Sequence, residues 1–385
     1  MLKINIKNIC RDSIIILANL ILRIFYIFPI NKKSIIFISY NGSQYSCNPK
    51  YISEYMLTNK MNEYDLIWTV SDKKRFKYLK DKGYKLVRYN SIEYLYKILT
   101  SKVIVTNVSI SSFLPIRKGQ YVINTWHGGG AYKKALFNEE KISKIVKKVY
   151  AEKVNLYLSS CERFSDLVIR GTFNYKGQIL ECGLPRNDIF FTNDYRIKKK
   201  VKDFYNIDNN KKIILYAPTF RDTNANFDHC LDYKRLLKAV TAKFGGEWII
   251  CIRAHHYAIV KTKLNTEIIL DVSRYPDMQE LLLTADILIT DYSSSIWDFS
   301  IMKKPCFLYT PDLNKYKSER NFYIDINKWH FPICSNNDEL INSILNFNME
   351  EFRNNMELHH KEWGSFENGQ ATQRTVELIL SIIGK

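Results

Sequence analysis

The sequence predicts an α/β protein with two doubly wound, Rossmann-like domains facing a cleft and an apolar helix at the N-terminus. Short apolar runs alternate with helical patterns twice along the chain, which is typical of parallel sheets flanked by helices. A polar, asparagine-rich stretch at 198–212 separates the two series. With 385 residues, of which 46% are hydrophobic, the chain is long enough to build two cores.

The predicted N-terminal helix belongs to a segment that covers 1–33. Residues 13–30 are almost entirely apolar, and three basic residues precede them. A membrane-spanning helix needs about 20 apolar residues. This run is barely long enough, and Arg23 near its middle would cost roughly 2.5–3.5 kcal/mol inside a bilayer. We therefore expect a helix that lies on the membrane interface or docks half-buried on the protein, with a core helix and a transmembrane span as alternatives.

The first Rossmann-like domain is predicted to cover 34–200. Helical patterns at 48–58 and 92–99 fall between its early strands. Its apolar runs predict strands at 34–39, 65–70, 85–89, 102–106, 121–125, 156–160 and 178–182.

The second domain is predicted to cover 201–385 and repeats the alternation. Its strands are expected at 212–216, 248–252, 267–270, 287–289 and 306–309. Its helices are expected at 233–244, 278–283, 295–302 and 338–347.

The charge and the cysteines bound the function. A net charge of +18 at pH 7 favours nucleic acid, anionic lipid or acidic substrates as partners. No arginine-rich arm, zinc-finger spacing or aromatic RNA-binding signature is present, so we do not expect nucleic acid. The eight cysteines never form a C-x-x-C pair, which predicts buried free thiols and no metal site.

A histidine at the end of a predicted strand is the first candidate catalytic residue. His127 follows the strand at 121–125 and precedes Gly128, Gly129 and Gly130. Glycines let backbone N–H groups approach an anion closely, and a histidine there can act as a base near neutral pH. The alternative is a structural histidine beside a flexible turn.

Basic residues follow further strand ends. Arg253 and His255 come directly after the strand at 248–252 and share one side of an extended segment, where both can meet phosphate oxygens. Arg186 and Arg221 each lie in a loop that follows a strand, which makes them candidate cleft arginines. Surface basic residues and local ion pairs are the alternative explanation.

A polar strand-to-helix turn after the strand at 287–289 is the second candidate site. Asp291, Ser293 and Ser294 precede the predicted helix, and Asp298 falls in its first turn. Free N–H groups at a helix start bind phosphate well. The same hydroxyls can instead cap the helix, and Asp298 can hydrogen-bond a sugar hydroxyl or complement the helix dipole.

These segments, in this order, resemble the CDP-glycerol glycerophosphotransferase family, bacterial enzymes that build teichoic-acid-type and related capsular polymers. The similarity covers about 35–380, and the tail at 367–374 also looks like the family's C-terminal signature. The resembling segments are Thr-Trp-His-Gly at 125–128, Gly-Leu-Pro-Arg-Asn-Asp at 183–188, Ala-Pro-Thr-Phe-Arg-Asp at 217–222, Arg-Ala-His at 253–255 and Thr-Asp-Tyr-Ser-Ser at 290–294 with Asp298.

The resemblance implies a GT-B-like fold whose first domain takes the acceptor and whose second takes the CDP-linked donor. It implies transfer of glycerol phosphate from CDP-glycerol to a hydroxyl of a membrane-linked saccharide or polyol-phosphate acceptor, with release of CMP. It implies a peripheral protein on the cytoplasmic face of the bacterial cell membrane, held at the anionic inner-leaflet surface. No cofactor is implied, although a loosely bound divalent cation can help neutralise the diphosphate.

The resemblance also assigns residues by position. His127 matches the family's base and His255 its second essential histidine. Donor-contacting positions are matched by Arg186, Pro218, Thr219, Arg253, Ser293, Ser294 and Asp298. We also expect Trp126, Gly128, Gly129, Arg221 and Asp291 to line the substrate site.

One departure from the family leaves alternatives open. The family usually continues His-Gly with Thr-Pro-Leu-Lys, whereas residues 129–133 here read Gly-Gly-Ala-Tyr-Lys. The remodelled loop leaves open the acceptor and the choice between CDP-glycerol and CDP-ribitol. A GT-B glycosyltransferase that uses a nucleotide-sugar and a non-catalytic membrane- or polyanion-binding protein are further alternatives. The sequence does not decide between primase and polymerase, nor the oligomeric state.

Overall fold

A computed structural model of the chain describes residues 6–61, 63–135, 153–192, 194–219, 231–253 and 266–384. The chain divides into two compact units. The first unit consists of Met1–His127, Ala135–Asp188 and Phe366–Lys385. The second unit consists of Gly128–Lys134 and Ile189–Ser365. Each contains one parallel sheet, so the predicted α/β class is confirmed.

The sheet of the first unit has seven parallel strands in the order β3-β2-β1-β4-β5-β6-β7. In the centre of this sheet, Ile36 lies beside Ile67 on one side and Ile104 on the other, and all three are fully buried. Such unbroken apolar runs suit strands that are covered on both faces. The strands are β1 (Asn31–Ile38), β2 (Asp65–Val70), β3 (Lys85–Arg88), β4 (Ser101–Thr106), β5 (Tyr121–Asn124), β6 (Leu156–Ser159) and β7 (Gln178–Glu181).

Helices connect the early strands of this sheet. Helix α1 (Ile6–Leu22) precedes β1, and the connecting helices are α2 (Cys47–Thr58), α3 (Tyr78–Asp81) and α4 (Ile92–Thr100). A π-helical stretch at Phe164–Thr172 follows β6. The start of α4 is fixed by Ser91, whose hydroxyl accepts a hydrogen bond from the Tyr94 N–H at 3.1 Å.

The N-terminal helix α1 is followed by a 3₁₀ turn at Arg23–Ile27. None of the described side chains at 11–22 is buried, so the core-helix alternative is wrong. Leu17 is 59% exposed and Ile21 62%. The segment is attached beyond α1, where Tyr26 donates to the Pro115 carbonyl at 2.7 Å. Within the described part of the chain, no helix has the length and apolar character needed to cross a membrane.

The sheet of the second unit has six parallel strands in the order β10-β9-β8-β11-β12-β13. Five of them match predicted strands, whereas the two-residue strand β13 was not predicted because so short a segment shows no periodicity. The strands are β8 (Lys212–Ala217), β9 (Trp248–Ile252), β10 (Ile269–Asp271), β11 (Ile287–Thr290), β12 (Cys306–Tyr309) and β13 (Ile333–Cys334).

The described helices of the second unit include the four predicted from the sequence. Polar N-caps begin several of them, as when the Asp277 carboxylate accepts from the Gln279 N–H at 2.9 Å. The helices are α5 (Tyr195–Phe204), α6 (Tyr233–Phe244), α7 (Met278–Thr284), α8 (Ser295–Ser300), α9 (Leu313–Glu319), α10 (Asn337–Leu345) and α11 (Met349–Trp363).

The last helix, α12 (Ala371–Ile383), returns to the first unit. Its buried residues Val376 and Ile379 join the core cluster that contains Ile52 and Met56 of α2. This differs from the predicted domain at 201–385, because an amphipathic pattern shows that a face is buried but not against which sheet. The boundary between the units also precedes the predicted one, since α5 lies in the second unit.

Candidate functional site

Both sheets reverse their strand order at one point, and polar residues lie at each reversal. In the first unit the reversal falls between β1 and β4, and in the second between β8 and β11. Open α/β sheets bind ligands beyond the carboxyl ends of strands at such switch points. Here the residues after β1 and β4 hydrogen-bond to each other, and so do those after β8 and β11.

His127 lies in the first unit, beyond the end of β5. Its Nδ1 is 2.8 Å from the backbone oxygen of Asn107, the residue that follows β4. Because a carbonyl oxygen can only accept, Nδ1 carries the proton of the neutral ring and Nε2 is the basic nitrogen. The arrangement therefore selects the tautomer that a general base requires.

Asn107 connects His127 to the turn after β1. Its side-chain oxygen accepts from the Tyr40 N–H at 2.9 Å. Tyr40 has a left-handed backbone with φ 44°, and its ring lies 5.6 Å from the His127 ring. The fully buried Asn107 was not predicted, although its place at a strand end was a usable signal.

Trp126 is held by the start of α2. Its backbone is left-handed with φ 52°, an uncommon conformation for a bulky residue. The Asn48 amide donates to the carbonyl oxygens of Thr125 at 3.2 Å and Trp126 at 3.1 Å. The Asn48 side-chain oxygen also accepts from the Arg186 N–H at 3.1 Å. Asn48 therefore joins two of the predicted motifs, and no sequence pattern pointed to it.

Arg186 is buried in the first unit, with its guanidinium Nη1 3.4 Å from the Cys47 sulfur. The loop that carries it is tied to the C-terminal signature. Glu367 accepts from the Leu184 N–H at 3.1 Å and from the Asn187 amide at 2.8 Å. These bonds give the family-like segments at 183–188 and 367–374 a shared structural role.

Asp188 also links these two segments. Its carboxylate accepts from the N–H groups of Ala371 at 3.1 Å and Thr372 at 2.7 Å, which caps the start of α12. Burial raises the pKa of Asp188, while the hydrogen bonds from Thr372 oppose this shift.

The glycine run after His127 belongs to the second unit. A Cβ on Gly129 would collide with Cδ1 of Trp297 and lie 3.0 Å from its Cγ. Gly130 has φ +63°, and a Cβ there would lie 2.5 Å from Cε2 of Tyr132. The structure thus gives a packing reason for both glycines, separate from the predicted close approach to an anion. Gly128, the first glycine of the run, is half-buried.

In the second unit, Thr219 and Asp291 form the polar pair at the switch point. The Asp291 carboxylate accepts from the Thr219 N–H at 3.0 Å and also from the Thr219 hydroxyl. Asp291 is only 2% exposed, and its hydrogen bonds to Thr219 hold the loop that contains Pro218 and Thr219. Pro218 directly follows β8 and is half-buried.

The turn before α8 keeps two hydroxyls partly accessible. Ser293 Oγ accepts from the Ser295 N–H at 3.3 Å, whereas Ser294 makes no side-chain cap hydrogen bond. The capping alternative therefore applies to Ser293 alone. Asp298 is buried and accepts from the Gln279 amide at 3.0 Å.

Arg253 follows β9 and is half-buried. Its Nη1 donates to the Tyr275 carbonyl at 2.9 Å, and its backbone N–H to that of Tyr216. The predicted site residues His255 and Arg221 lie outside the described residues. In the described ranges, no three His, Cys, Asp or Glu side chains group so as to hold a metal ion.

Known proteins are similar to this chain over most of its length. The sequence profile described as CDP-Glycerol:Poly(glycerophosphate) glycerophosphotransferase matches residues 20–381. The chain is 31% identical to a teichoic acid poly(glycerol phosphate) polymerase of Bacillus spizizenii, over 96% of this chain and 98% of that protein. It is 30% identical to the teichoic acid glycerol-phosphate transferase of Staphylococcus aureus, over 98% of this chain and all of the other.

A solved structure agrees with these sequence matches. The wall teichoic acid polymerase TagF, as a variant soaked with CDPG, superposes with a TM-score of 0.79 at 27% identity. The match covers 100% of this chain and 99% of that one. Relatives named as ribitol-phosphate polymerases are more distant, at 25% identity for that of Bacillus spizizenii.

The profile match covers most of the sequence, and both sheets have the parallel, doubly wound order that the family resemblance implied. The chain therefore belongs to the CDP-glycerol:poly(glycerophosphate) glycerophosphotransferase family.

Proposed function

We propose that the protein transfers glycerol phosphate from CDP-glycerol to a hydroxyl of a membrane-linked saccharide or polyol-phosphate acceptor, releasing CMP in teichoic acid or capsular polymer synthesis. Family membership supports the reaction class. The single observation that carries the chemistry is the hydrogen bond between His127 Nδ1 and the Asn107 carbonyl, at 2.8 Å. It leaves Nε2 as the nitrogen that takes a proton from an attacking hydroxyl.

In the proposed step, Nε2 of His127 removes the proton of the acceptor hydroxyl. The acceptor oxygen forms a bond to the phosphorus that bears glycerol, and the bond from that phosphorus to the CMP oxygen breaks. CMP leaves with the bonding electron pair. Donor binding is assigned to the second unit, with Arg253, His255, Ser293 and Ser294 stabilising negative charge on the diphosphate.

The remaining predicted site residues have supporting roles in this proposal. Asp291 holds Thr219, and Gln279 holds Asp298 for contact with a donor hydroxyl. Arg186 is assigned to bind the anionic substrate, and Trp126 is assigned to contact the acceptor beside His127. Arg221 is assigned to the donor by its family-like position alone.

Donor competition tests the proposed substrate. Purified protein is given CDP-glycerol, CDP-ribitol and a UDP-sugar at equal concentration with a lipid-linked acceptor. We expect CMP release and a glycerol-phosphate product. Turnover of CDP-ribitol in preference to CDP-glycerol, or release of UDP, would contradict the proposed donor and favour the ribitol or glycosyltransferase alternative.

We also propose that α1 attaches the protein peripherally to the cytoplasmic, anionic membrane surface. Its exposed apolar residues include Ile14, Leu17 and Ile21. Arg11 lies within the helix, and Arg23 directly follows it. An amphipathic helix with basic residues binds anionic lipid by apolar burial and by about 1 kcal/mol per basic residue.

Vesicle co-sedimentation tests this attachment. The full chain should bind phosphatidylglycerol vesicles more strongly than phosphatidylcholine vesicles, and Leu17→Asp should weaken binding at least ~10-fold. Leu345→Asp provides a matched control, since Leu345 is an exposed leucine at the end of α10. Equal loss of binding in both variants would refute the assignment to α1.

A further inference from the structure

The segment after His127 is built into the second unit by main-chain and side-chain contacts. Lys133 forms an antiparallel bridge with Phe322. The Lys134 N–H donates to the Asn321 carbonyl at 3.1 Å, and the Tyr323 N–H to the Tyr132 carbonyl at 2.8 Å. These bonds fix the backbone of Gly128–Lys134 within the second unit. The residue directly before it, His127, belongs to the first unit.

Tyr132 is the side chain that fastens this segment. It is buried, and its hydroxyl lies 2.7 Å from Nε2 of His359 on α11. The Tyr132 ring packs 4.6 Å from the Trp329 ring and lies nearly parallel to the His359 ring. The Trp363 ring packs against both, with its centroid 4.1 Å from that of His359 and 6.2 Å from that of Tyr132.

His359 can keep its hydrogen bond to the Tyr132 hydroxyl across the neutral pH range. It is fully buried, and burial holds its pKa well below the usual range, with the neighbouring His360 and His330 adding to the effect. The ring is therefore neutral at physiological pH and carries one donor and one acceptor nitrogen. The bond to Tyr132 does not depend on protonation near neutrality.

The glycines of the segment leave the space that the Tyr132 and Trp297 rings occupy. Gly130 cannot carry a side chain without displacing the Tyr132 ring, and Gly129 cannot do so without displacing Trp297. The sequence that departs from the family pattern, Gly-Gly-Ala-Tyr at 129–132, is thus the sequence that seats Tyr132 against His359.

We propose that Tyr132 and His359 are a positioning pair for the transfer reaction, which holds the Gly128–Lys134 segment in place and so fixes the peptide that follows His127. This inference rests on the proposed function, in which His127 is the base. A base misplaced by about 1 Å can lose about 10²-fold in rate, so a remote anchor of its loop has kinetic consequences.

The test is a double-mutant cycle on kcat for CMP release from CDP-glycerol, with the full chain. Tyr132→Phe keeps the ring and removes the hydroxyl, and we expect kcat to fall ~10-fold or more while KM for CDP-glycerol changes less than ~3-fold. Since the pair acts through His127, adding Tyr132→Phe to His127→Ala should lower kcat no further.

Ser300→Ala is the matched control. The Ser300 hydroxyl lies 2.8 Å from Nε2 of His360 and donates to the Trp297 carbonyl at 2.7 Å. This variant therefore also removes a part-buried hydroxyl–imidazole bond from the second unit, outside Gly128–Lys134. We expect a comparable fall in melting temperature with kcat within ~2-fold of wild type. His359→Gln, which can still bond the Tyr132 hydroxyl, should keep more activity than His359→Leu.

Two results would overturn the positioning pair. One is a Tyr132→Phe effect on kcat no larger than that of Ser300→Ala. The other is an additive effect in the double variant, which would show action independent of His127. Failure of the proposed base has a different signature, because His127→Ala alone would then keep near-wild-type kcat.

Discussion

Replacing Asn48 should disturb the site more than any surface substitution, and the two simplest replacements should differ in a diagnostic way. Asn48 is fully buried and makes three hydrogen bonds, to the Thr125 and Trp126 carbonyls and from the Arg186 N–H. A neutral hydrogen bond contributes about 1 kcal/mol net. Asn48→Ala should therefore lower the free energy of unfolding by ~3 kcal/mol.

Asn48→Asp should be worse than Asn48→Ala, although aspartate is nearly the same shape. Its oxygen still accepts from the Arg186 N–H, but the other oxygen faces two carbonyl oxygens where the amide donated. An ionised carboxylate that is buried against acceptors costs several kcal/mol or becomes protonated. We expect a loss of at least ~4 kcal/mol at pH 8, and less at pH 5, where protonation restores a donor.

The assay is urea-induced unfolding of wild type and both variants at the two pH values, with CMP release measured in parallel. kcat should fall in both variants, because the Trp126–His127 peptide loses its support. A variant with aspartate that is as stable as the alanine variant at pH 8, or that shows no gain at pH 5 relative to wild type, would refute the hydrogen-bond assignment.

Three further predictions concern other parts of the fold. Gly130→Ala should cost ~2–3 kcal/mol in urea unfolding, because alanine is strained at φ +63° and its Cβ meets Tyr132, and an unchanged midpoint would contradict this. Burial lowers the pKa of His360 to about 4, so as pH falls from 6.5 only the unfolded state binds this proton. His360 should therefore contribute a loss of stability of up to about 1.4 kcal/mol per pH unit, in addition to that from buried His359, and His360→Gln should reduce the slope by that amount, whereas an unchanged slope would contradict this. Asp188→Ala should lower stability by ~1–2 kcal/mol and reduce amide-exchange protection at Ala371 and Thr372, whereas unchanged protection there would exclude the capping role.

The strands could be predicted because they are buried runs of Ile, Leu and Val with polar ends. β2, for example, was predicted with its observed bounds. The packing of α12 against the first unit could not be predicted, since its apolar face does not show which sheet it covers. Only the Glu367 and Asp188 hydrogen bonds show that the segment before α12 is bound to the loop at 183–188.

In the candidate site, strand ends pointed to His127, Asp291 and Arg253, because chemistry in parallel sheets gathers there. Asn107 and Asn48 were missed. A single asparagine has no periodic signature, and its value depends on which backbone groups the fold brings within 3 Å or so of its amide. The glycine run was predicted for its freedom to approach an anion, whereas two of its members also have neighbours that exclude a side chain.

The role of His127 as the base of a CMP-releasing transfer is tested directly by comparing the wild type with an alanine variant. CMP release from CDP-glycerol is followed with purified wild type and His127→Ala, each with a lipid-linked acceptor. If His127 is the base, wild type releases CMP and the variant does so at a rate at least ~10²-fold lower. Near-wild-type release by His127→Ala would contradict it.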